Sequence, residues 1–335
     1  MRILLSSYAF YPSIGGVESL SAMLAEQFCL RGHDVVVITH TTGESGAAPY
    51  RVVRRATKSQ LWELVRWCDV FVHNNINLRS AWPLLFMRRP WAVINSGSIA
   101  ATPMGRLKRF CARFAVTSGV SADTARKIGA KTVIPNCYDN DLFRELPNGG
   151  REVELMYLGR LVSEKGVDVL LHALHRLKLA GMAPRLTIVG GGPEEASLRK
   201  LVSSLNLDEQ VTFAGIRRDH ALVRELNRHR ILVVPSTYSE PFGIVAVEAL
   251  ACGCVVVGSE RGGLGEAIGP CGLTFPNGDA EALAECLRGL LSDEGRVRAL
   301  RERAAEHLAG FTKEHVADRY LKLLSGLCRT AERLA

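Results

Sequence analysis

Two carboxylates, Glu240 and Glu248, stand eight positions apart in the stretch SEPFGIVAVEALACG (239–253), with Pro241, Phe242 and Gly243 directly after the first. The preceding RILVVPS is β-branched and reads as a buried strand, whereas Phe242 to Ala251 has the apolar density of a helix. Pro241 is then expected where the helix begins, a position at which a missing N–H costs nothing. Gly243 permits another molecule to approach the backbone. This reading puts Glu240 in a strand-to-helix loop and Glu248 one or two turns into the helix, with the amides of Gly243, Ile244 and Val245 unsatisfied at the helix start. Such amides attract an anion. Two acids beside them repel it unless they bind another part of the same ligand, and hydroxyls suit them because a carboxylate accepts hydroxyl hydrogen bonds. The chemistry indicated is a phosphate carrying sugars. A partly buried helix with two solvated acids would have the same spacing.

Three other segments carry groups suited to a phosphate. YAFYPSIGGVES places Gly15 and Gly16 before a helix expected from about Val17, where paired glycines allow a phosphate or sugar to come close. The loop lacks G-x-G-x-x-G spacing, which argues against a nicotinamide enzyme. YLGRLVSEKGVDVLLHAL sets Arg160 and Lys165 between a strand and a helix. Two cations there suit a diphosphate and would stabilise its charge as it departs, although loop cations are commonly solvated. IVGGGPEE supplies Gly190, Gly191 and Gly192, read as a tight turn with a possible backbone contact to the ligand.

The elements that must position these groups are short β-branched runs alternating with helical patterns. RILLSS, DVVVITH, DVFVH, WAVIN and KTVIP lie in the first half; ELMYLG, RLTIVG, QVTFAG, RILVVP and CVVVG lie in the second. Alternation at this spacing means βαβ units and parallel sheets. The polar, Pro- and Gly-bearing segment 138–152 separates two sets of five. Two doubly wound α/β domains are therefore expected, with ligands at the carboxyl ends of the strands and a cleft between the domains as the site. The last segment, FTKEHVADRYLKLLSGL, has helical spacing and is expected to pack back on the first domain.

At 335 residues the chain is long enough for two full cores, and 47% hydrophobic with 23% charged residues is the composition of a globular protein in water. The apolar run at the N-terminus is too short for a signal peptide, and no segment approaches the ~18 apolar residues of a membrane span. A cytoplasmic protein is expected, touching a membrane only at its inner surface. The nine cysteines are scattered through apolar segments and read as reduced core thiols rather than a metal or disulfide framework.

The order of GG near the N-terminus, IPNCYDNDLF, GRLVSEKGVDVLL, VGGGPE, VTFAG, PSTYSEPFGIVAVEALACG and GGLGEAI resembles family 4 of the retaining glycosyltransferases, which have the GT-B fold. The resemblance spans nearly the whole chain, and its most specific element is the E-x7-E signature at Glu240 and Glu248. It implies an acceptor-binding domain at 1–145, a nucleotide-sugar domain at 151–312, and a returning helix at 313–335. It also implies that Glu248 holds the ribose hydroxyls of a UDP- or GDP-sugar and that Glu240 contacts the transferred sugar. Arg160 and Lys165, with the amides after Phe242 (Gly243, Ile244, Val245), would bind the diphosphate; Gly190 would contribute backbone, and Gly15 and Gly16 would approach from the first domain. Transfer would proceed by front-face displacement, with no cofactor and no metal, and no Asp-x-Asp is read as holding one. One departure stands out: family members often carry His-Gly after the strand corresponding to WAVIN, and here Ser96 occupies that slot. His73, ending DVFVH, is a possible substitute or a structural residue.

Two rival readings carry the same motifs: a nucleotide-sugar epimerase, which needs no acceptor, and a non-catalytic nucleotide-sugar binding protein, suggested by Ser96. Charge adds one expectation. Of 42 Lys and Arg and 34 Asp and Glu, 18 and 10 lie within residues 1–150, so the net charge of +8 arises wholly in that half. Residues 79–131 hold ten Lys or Arg against the single acid Asp123. In MGRLKRFCARF, Leu107, Phe110, Cys111 and Phe114 fall on one helical face flanked by Arg106, Lys108, Arg109 and Arg113, a stripe that either covers the core or meets an anionic membrane bearing a lipid-linked glycan acceptor. Nucleic acid is disfavoured as a partner, because no nucleic-acid module accompanies the charge.

Overall fold

The structure, a computed structural model, describes every residue except 14, 44–47, 98, 100, 101, 148, 149 and 335. It divides into two units, Met1–Cys137 with Phe311–Ala335, and Tyr138–Gly310. Each is a Rossmann-like parallel α/β sandwich.

In the first unit seven strands, β1 (Arg2–Ser7), β2 (Asp34–Thr39), β3 (Arg51–Arg54), β4 (Val70–Asn74), β5 (Trp91–Asn95), β6 (Val116–Gly119) and β7 (Thr132–Val133), run in the order β3-β2-β1-β4-β5-β6-β7. In the second, β8 (Val153–Leu158), β9 (Leu186–Val189), β10 (Val211–Gly215), β11 (His229–Val234), β12 (Val255–Ser259) and β13 (Gly272–Phe275) run β10-β9-β8-β11-β12-β13. The central strands are apolar on both faces: Ile3–Leu5, Val70–Val72, Leu155–Tyr157, Ile231–Val234 and Val255–Val257 are buried throughout. Helices on both sides of a parallel sheet demand such continuous apolar runs, which is why these strands are legible in the sequence.

The expected two sets of five strands become seven and six. RVVR (β3), VTSG (β6) and GLTF (β13) were not anticipated. Each has only four residues; β3 and β13 are edge strands with partly exposed side chains, and β6 is composed of polar or small residues after its first. Their pairing comes from the neighbouring strand rather than from their own β-propensity.

The strand order reverses between β1 and β4 in the first unit and between β8 and β11 in the second. Loops leaving strands on either side of such a reversal splay apart and open a crevice at the sheet's carboxyl edge. In the second unit these are the loop carrying Arg160 and Lys165 and the loop carrying Glu240. In the first unit they are the loop ending at Gly15 and the one after Asn74.

The chain returns to the first unit at Phe311 and closes with the helix Lys313–Leu334. Val316, Ala317, Tyr320 and Leu324 are buried, and Arg31 at the end of the Gly16–Leu30 helix pairs with Asp318 at 2.5 Å while donating to the Glu314 carbonyl at 3.2 Å. A second expectation, that Leu107, Phe110, Cys111 and Phe114 form a stripe able to cover the core, is corrected. In the Pro103–Ala112 helix the inward side is made by the small residues Cys111 and Ala112, with Ala115 following, while Leu107, Phe110 and Phe114 are exposed.

Leu324 is deep in the contact made by the final helix. Leu324→Ala is expected to lower stability by about 2–5 kcal/mol through lost transfer free energy and an unfilled cavity, read as a fall in the denaturant midpoint. An unchanged midpoint would mean that the final helix is not part of the folded first unit.

Candidate active site

The loop after β8 runs through a short 3-10 turn, Ser163–Lys165, into the Val167–Leu179 helix. The loop after β11 lies beside it, joined by the Thr237 amide donating to the Glu164 carbonyl at 3.0 Å. Across this junction Lys165 Nζ donates to Glu240 Oε1 at 2.6 Å and to the Tyr238 hydroxyl at 3.0 Å. Ser236 Oγ donates to the same Glu240 oxygen at 2.6 Å, and the Tyr238 hydroxyl donates to Oε2 at 2.5 Å. The Glu240 side chain is only 7% exposed and that of Lys165 22%, so the pair is largely withdrawn from water and held by hydroxyl donors. The ammonium also lies 5.0 Å from the centre of the Tyr238 ring. Burial, then the hydrogen bond to the Glu240 carboxylate, raises the Tyr238 phenol above its ordinary value, keeping it a neutral donor.

Neither Tyr238, Ser236 nor Asn277 was singled out from the sequence. Asn277 donates through Nδ2 to the carbonyls of Ser236 (2.8 Å) and Tyr238 (3.1 Å), and accepts from the Arg261 amide at 2.9 Å. The Glu240 carbonyl accepts from the Gly263 amide at 2.7 Å. The loop is thus fixed from both sides. Tyr238, two residues before Glu240, offered a signal by proximity; Asn277, 37 positions later, offered none.

The helix after this loop spans Ile244–Ala251, beginning three residues beyond Pro241 rather than at it. Pro241 belongs to the loop, and Gly243 is the N-cap, at φ +96°. That left-handed conformation is one most side chains resist, and a Cβ at this residue would also stand 2.5 Å from Leu264 Cδ1. The first backbone bond of the helix is the Ala246 amide to the Gly243 carbonyl at 2.9 Å, so the amides of Ile244 and Val245 precede the ladder. Phe242 is buried beneath them.

Glu248 lies one turn further along the same helix, and side chains on a helix lean toward its N-terminus. It is partly accessible at its surface but densely surrounded. Burial, with the nearby Asp139 carboxylate adding to it, pushes its carboxyl up to about 8. No hydrogen bond or ion pair reaches that carboxyl from the described residues. Asp139-Asn140-Asp141 does have Asp-x-Asp spacing, which the sequence reading passed over. Here Asp139 accepts from the Asp141 amide at 3.2 Å, and among the described residues no three His, Cys, Asp or Glu side chains are grouped to hold a metal ion.

The remaining candidates fall as follows. Arg160 is 73% exposed at its side chain and, among the described residues, pairs only with Glu164, at 3.7 Å. Gly190, at φ +144°, lets the loop after β9 lie on the loop after β8: a Cβ there would stand 1.8 Å from the Gly159 carbonyl oxygen. Its absent side chain accommodates the chain itself. Gly15 is the N-cap of the Gly16–Leu30 helix, and Glu18 in the first turn accepts from Ser13 Oγ at 3.2 Å. Ser96 donates its amide to Asn75 Oδ1 (3.0 Å) and its hydroxyl to Asn74 Oδ1 (3.1 Å), tying the end of β5 to that of β4. His73 is fully buried, accepts from the Trp91 indole at 2.8 Å on Nδ1 and meets Ser80 Oγ at 3.0 Å through Nε2; burial pushes its pKa down to about 3. It is a neutral structural residue. Beside Ser96 a cavity of about 400 Å³ is lined by Asn75, Asn95, Thr102, Met104 and Lys108.

Residues 139–307 match the family model described as "Glycosyl transferases group 1". The D-inositol 3-phosphate glycosyltransferase of Rhodococcus jostii (strain RHA1) is 37% identical over 181 residues, 51% of this chain and 40% of its own. The glycogen synthase of Mycobacterium tuberculosis (strain ATCC 25618 / H37Rv) is 38% identical over 156 residues, 45% of this chain and 37% of its own. The match thus spans about two fifths of the length of these curated relatives. Among solved structures, Anabaena Alr3699/HepE in complex with UDP aligns at a TM-score of 0.83 with 21% identity, covering 97% of this chain and 100% of that one. WaaG, a glycosyltransferase involved in lipopolysaccharide biosynthesis, aligns at 0.72 with 18% identity, covering 97% and 100%. These likenesses are of fold, and the fold is GT-B.

Two outcomes follow from the charges. Lys165→Ala strands a buried carboxylate and is expected to cost about 3–5 kcal/mol, with Glu240→Gln in the same chain restoring part of the loss; Arg160→Ala, at an exposed position, stays within about 0.5 kcal/mol. Chemical denaturation separates the two. For Glu248 the folded pKa lies above the unfolded one, so between about 4.5 and 8 the folded state holds a proton that the unfolded state has released, and stability falls as pH rises through that window. Glu248→Gln removes this titration. Melting curves should therefore show the variant gaining on the parent from pH 5 upward and levelling off above about 8; a gap that does not change with pH would contradict the raised pKa.

Proposed function

Since the chain belongs to the group 1 glycosyl transferases, we propose that it transfers a sugar from a nucleoside-diphosphate donor, a UDP-sugar before a GDP-sugar, to an acceptor hydroxyl with retention of anomeric configuration. The observation that carries this reading is the Glu248 carboxyl: partly accessible, without a hydrogen-bond or ion-pair partner among the described residues, and one helical turn from the amides of Ile244 and Val245. A carboxyl without a protein partner is left to accept hydrogen bonds from a ligand. Four residues of helix rise about 6 Å, a separation that a ribose held by its hydroxyls and a phosphate on the amides can span. The complex of the Anabaena protein with UDP supports uracil as the base.

In this reading the second unit binds the donor and the first unit binds the acceptor. The diphosphate lies against the helix start and the Arg160 and Lys165 side chains. As the glycosidic bond breaks, negative charge grows on the departing phosphate, and cations and amides already in place stabilise that charge more than they stabilise the intact donor. The acceptor attacks from the face the diphosphate leaves, and a phosphate oxygen takes its proton, so no protein side chain need act as a general base. Arg160 is free to turn toward the phosphate because Glu164 holds it only at long range. Glu240 carries three hydrogen bonds on its two oxygens and thereby aims Lys165; it meets the transferred sugar through its remaining lone pair or by exchanging a hydroxyl partner. The cavity beside Ser96, with Asn75, Asn95, Thr102 and Lys108 among its mixed polar and apolar lining, suits a hydroxylated acceptor with a negative group.

Glu248→Ala is expected to weaken UDP-sugar binding by about 1–3 kcal/mol, measured by titration calorimetry, and affinity in the parent should rise with pH toward about 8 as the carboxyl ionises. Arg160→Ala should lower kcat more than it lowers donor affinity. Turnover should persist in EDTA, and NMR of the product should show the donor's anomeric configuration. Equal donor affinity in parent and Glu248→Ala would remove Glu248 from the site; nucleotide release that never depends on an acceptor would remove transfer.

A further inference from the structure

The Pro103–Ala112 helix and the short turn Trp82–Leu85 pack on one small cluster in the first unit, Ile76, Ala81, Trp91 and Val93, through Cys111, Ala112 and Leu84. Their outer sides are apolar as well. Leu85, Phe86, Met104, Leu107, Phe110 and Phe114 expose 48–79% of their surface. Phe110 and Phe114 meet edge to face at 5.6 Å, and Phe86 lies against Trp62 (6.1 Å) and Trp82 (6.3 Å). An exposed apolar patch of this size needs an occupant.

Charge selects the occupant. Arg88, Arg106 and Arg113 are exposed among these side chains and have no ion-pair partner among the described residues. No acid occurs between residues 79 and 122, and Asp123, the first to follow, pairs with Lys127 at 2.6 Å. A second copy of the chain would bring the same uncompensated cations face to face. An anionic lipid bilayer complements both features: the phenyl rings enter the headgroup layer while the guanidinium groups meet lipid phosphates.

We propose that this face of the first unit, the outer side of the Pro103–Ala112 helix with the Leu85–Phe86 turn, docks reversibly on an anionic membrane surface. Met104 and Lys108 of the same helix line the cavity beside Ser96. Docking therefore brings that cavity to the headgroup layer, and the acceptor is a hydroxylated, negatively charged lipid headgroup. This last step rests on the assignment of the acceptor to the first unit; the docking itself does not.

The test is sedimentation of the full chain with phosphatidylglycerol-containing and pure phosphatidylcholine vesicles at low and high salt. Pelleting is expected only with the anionic vesicles and should fall as salt screens the surface. Arg106→Ala with Arg113→Ala should lower the apparent partition constant about 30-fold, on the usual contribution of a basic residue near an anionic surface. Phe110→Ser with Phe114→Ser should lower it further while UDP-induced thermal shift is kept, showing that the donor side is intact. Equal pelleting with both vesicle types, none with either, or variants that bind like the parent would overturn the proposal. So would light scattering that shows a dimer lost in the Phe110→Ser, Phe114→Ser variant, since the patch would then be a contact between copies.

Discussion

The ion pair between Lys165 and Glu240 couples the two loops that flank the strand reversal of the second unit. The same loops also meet through the backbone bond from Thr237 to Glu164 and the hydroxyl contact beside it, through Lys165 and Tyr238, and where Gly166 lies against the Pro235 carbonyl. A buried pair of this kind contributes little net stability, because the charges must first leave water. Its value lies in direction. Three donors fix the carboxylate, the carboxylate fixes the ammonium, and Asn277 fixes the backbone from which two of those donors project. A cation held in this way needs little rearrangement when charge develops beside it.

Glu248 is the opposite case, and the contrast divides the two carboxylates by role. Glu240 is satisfied within the protein; Glu248, on the neighbouring helix, has its carboxyl raised to about 8 by burial and by Asp139 and has no partner among the described residues. The two acids read as a symmetrical pair in sequence, equally spaced about an apolar run. Their surroundings satisfy one within the protein and leave the other without a partner among the described residues.

Most of the scaffold was legible because central parallel strands, buried on both faces, must be written as continuous apolar runs; ten of the thirteen strands fall within the runs read from the sequence. RVVR, VTSG and GLTF escaped because short strands draw their pairing from neighbours. The placement of the candidate residues was legible where local pattern fixes it: a cation loop after β8, a helix start after β11, an acid one turn into that helix. It was illegible where the third dimension decides. Pro241 resembles a helix-start proline, but Gly243 takes the cap two residues later because the loop needs a left-handed residue there. His73 resembles a possible ligand at a strand end, but Trp91, eighteen positions away, turns it into a neutral core acceptor. Gly190 resembles a ligand-approach glycine, but the backbone that comes close is that of Gly159.

The helix 103–112 shows why amphipathic spacing alone does not tell which way a helix faces. Its large apolar residues and its small ones both recur at helical intervals, and a sequence moment weights the large ones. Packing against β4 and β5 weights closeness instead: Cys111 and Ala112 let the helix approach Trp91 and Val93, which Phe110 or Leu107 in the same place would prevent. Once the small face is inward the phenyl groups have no core to enter. The surrounding cations then become part of the same surface. In the second unit, by contrast, cations such as Lys165, Arg151 and Arg199 find acids within the unit. Arg88, Arg106 and Arg113, without ion-pair partners among the described residues, thus stand in the segments where the apolar residues are also uncovered, and one lipid surface would satisfy both.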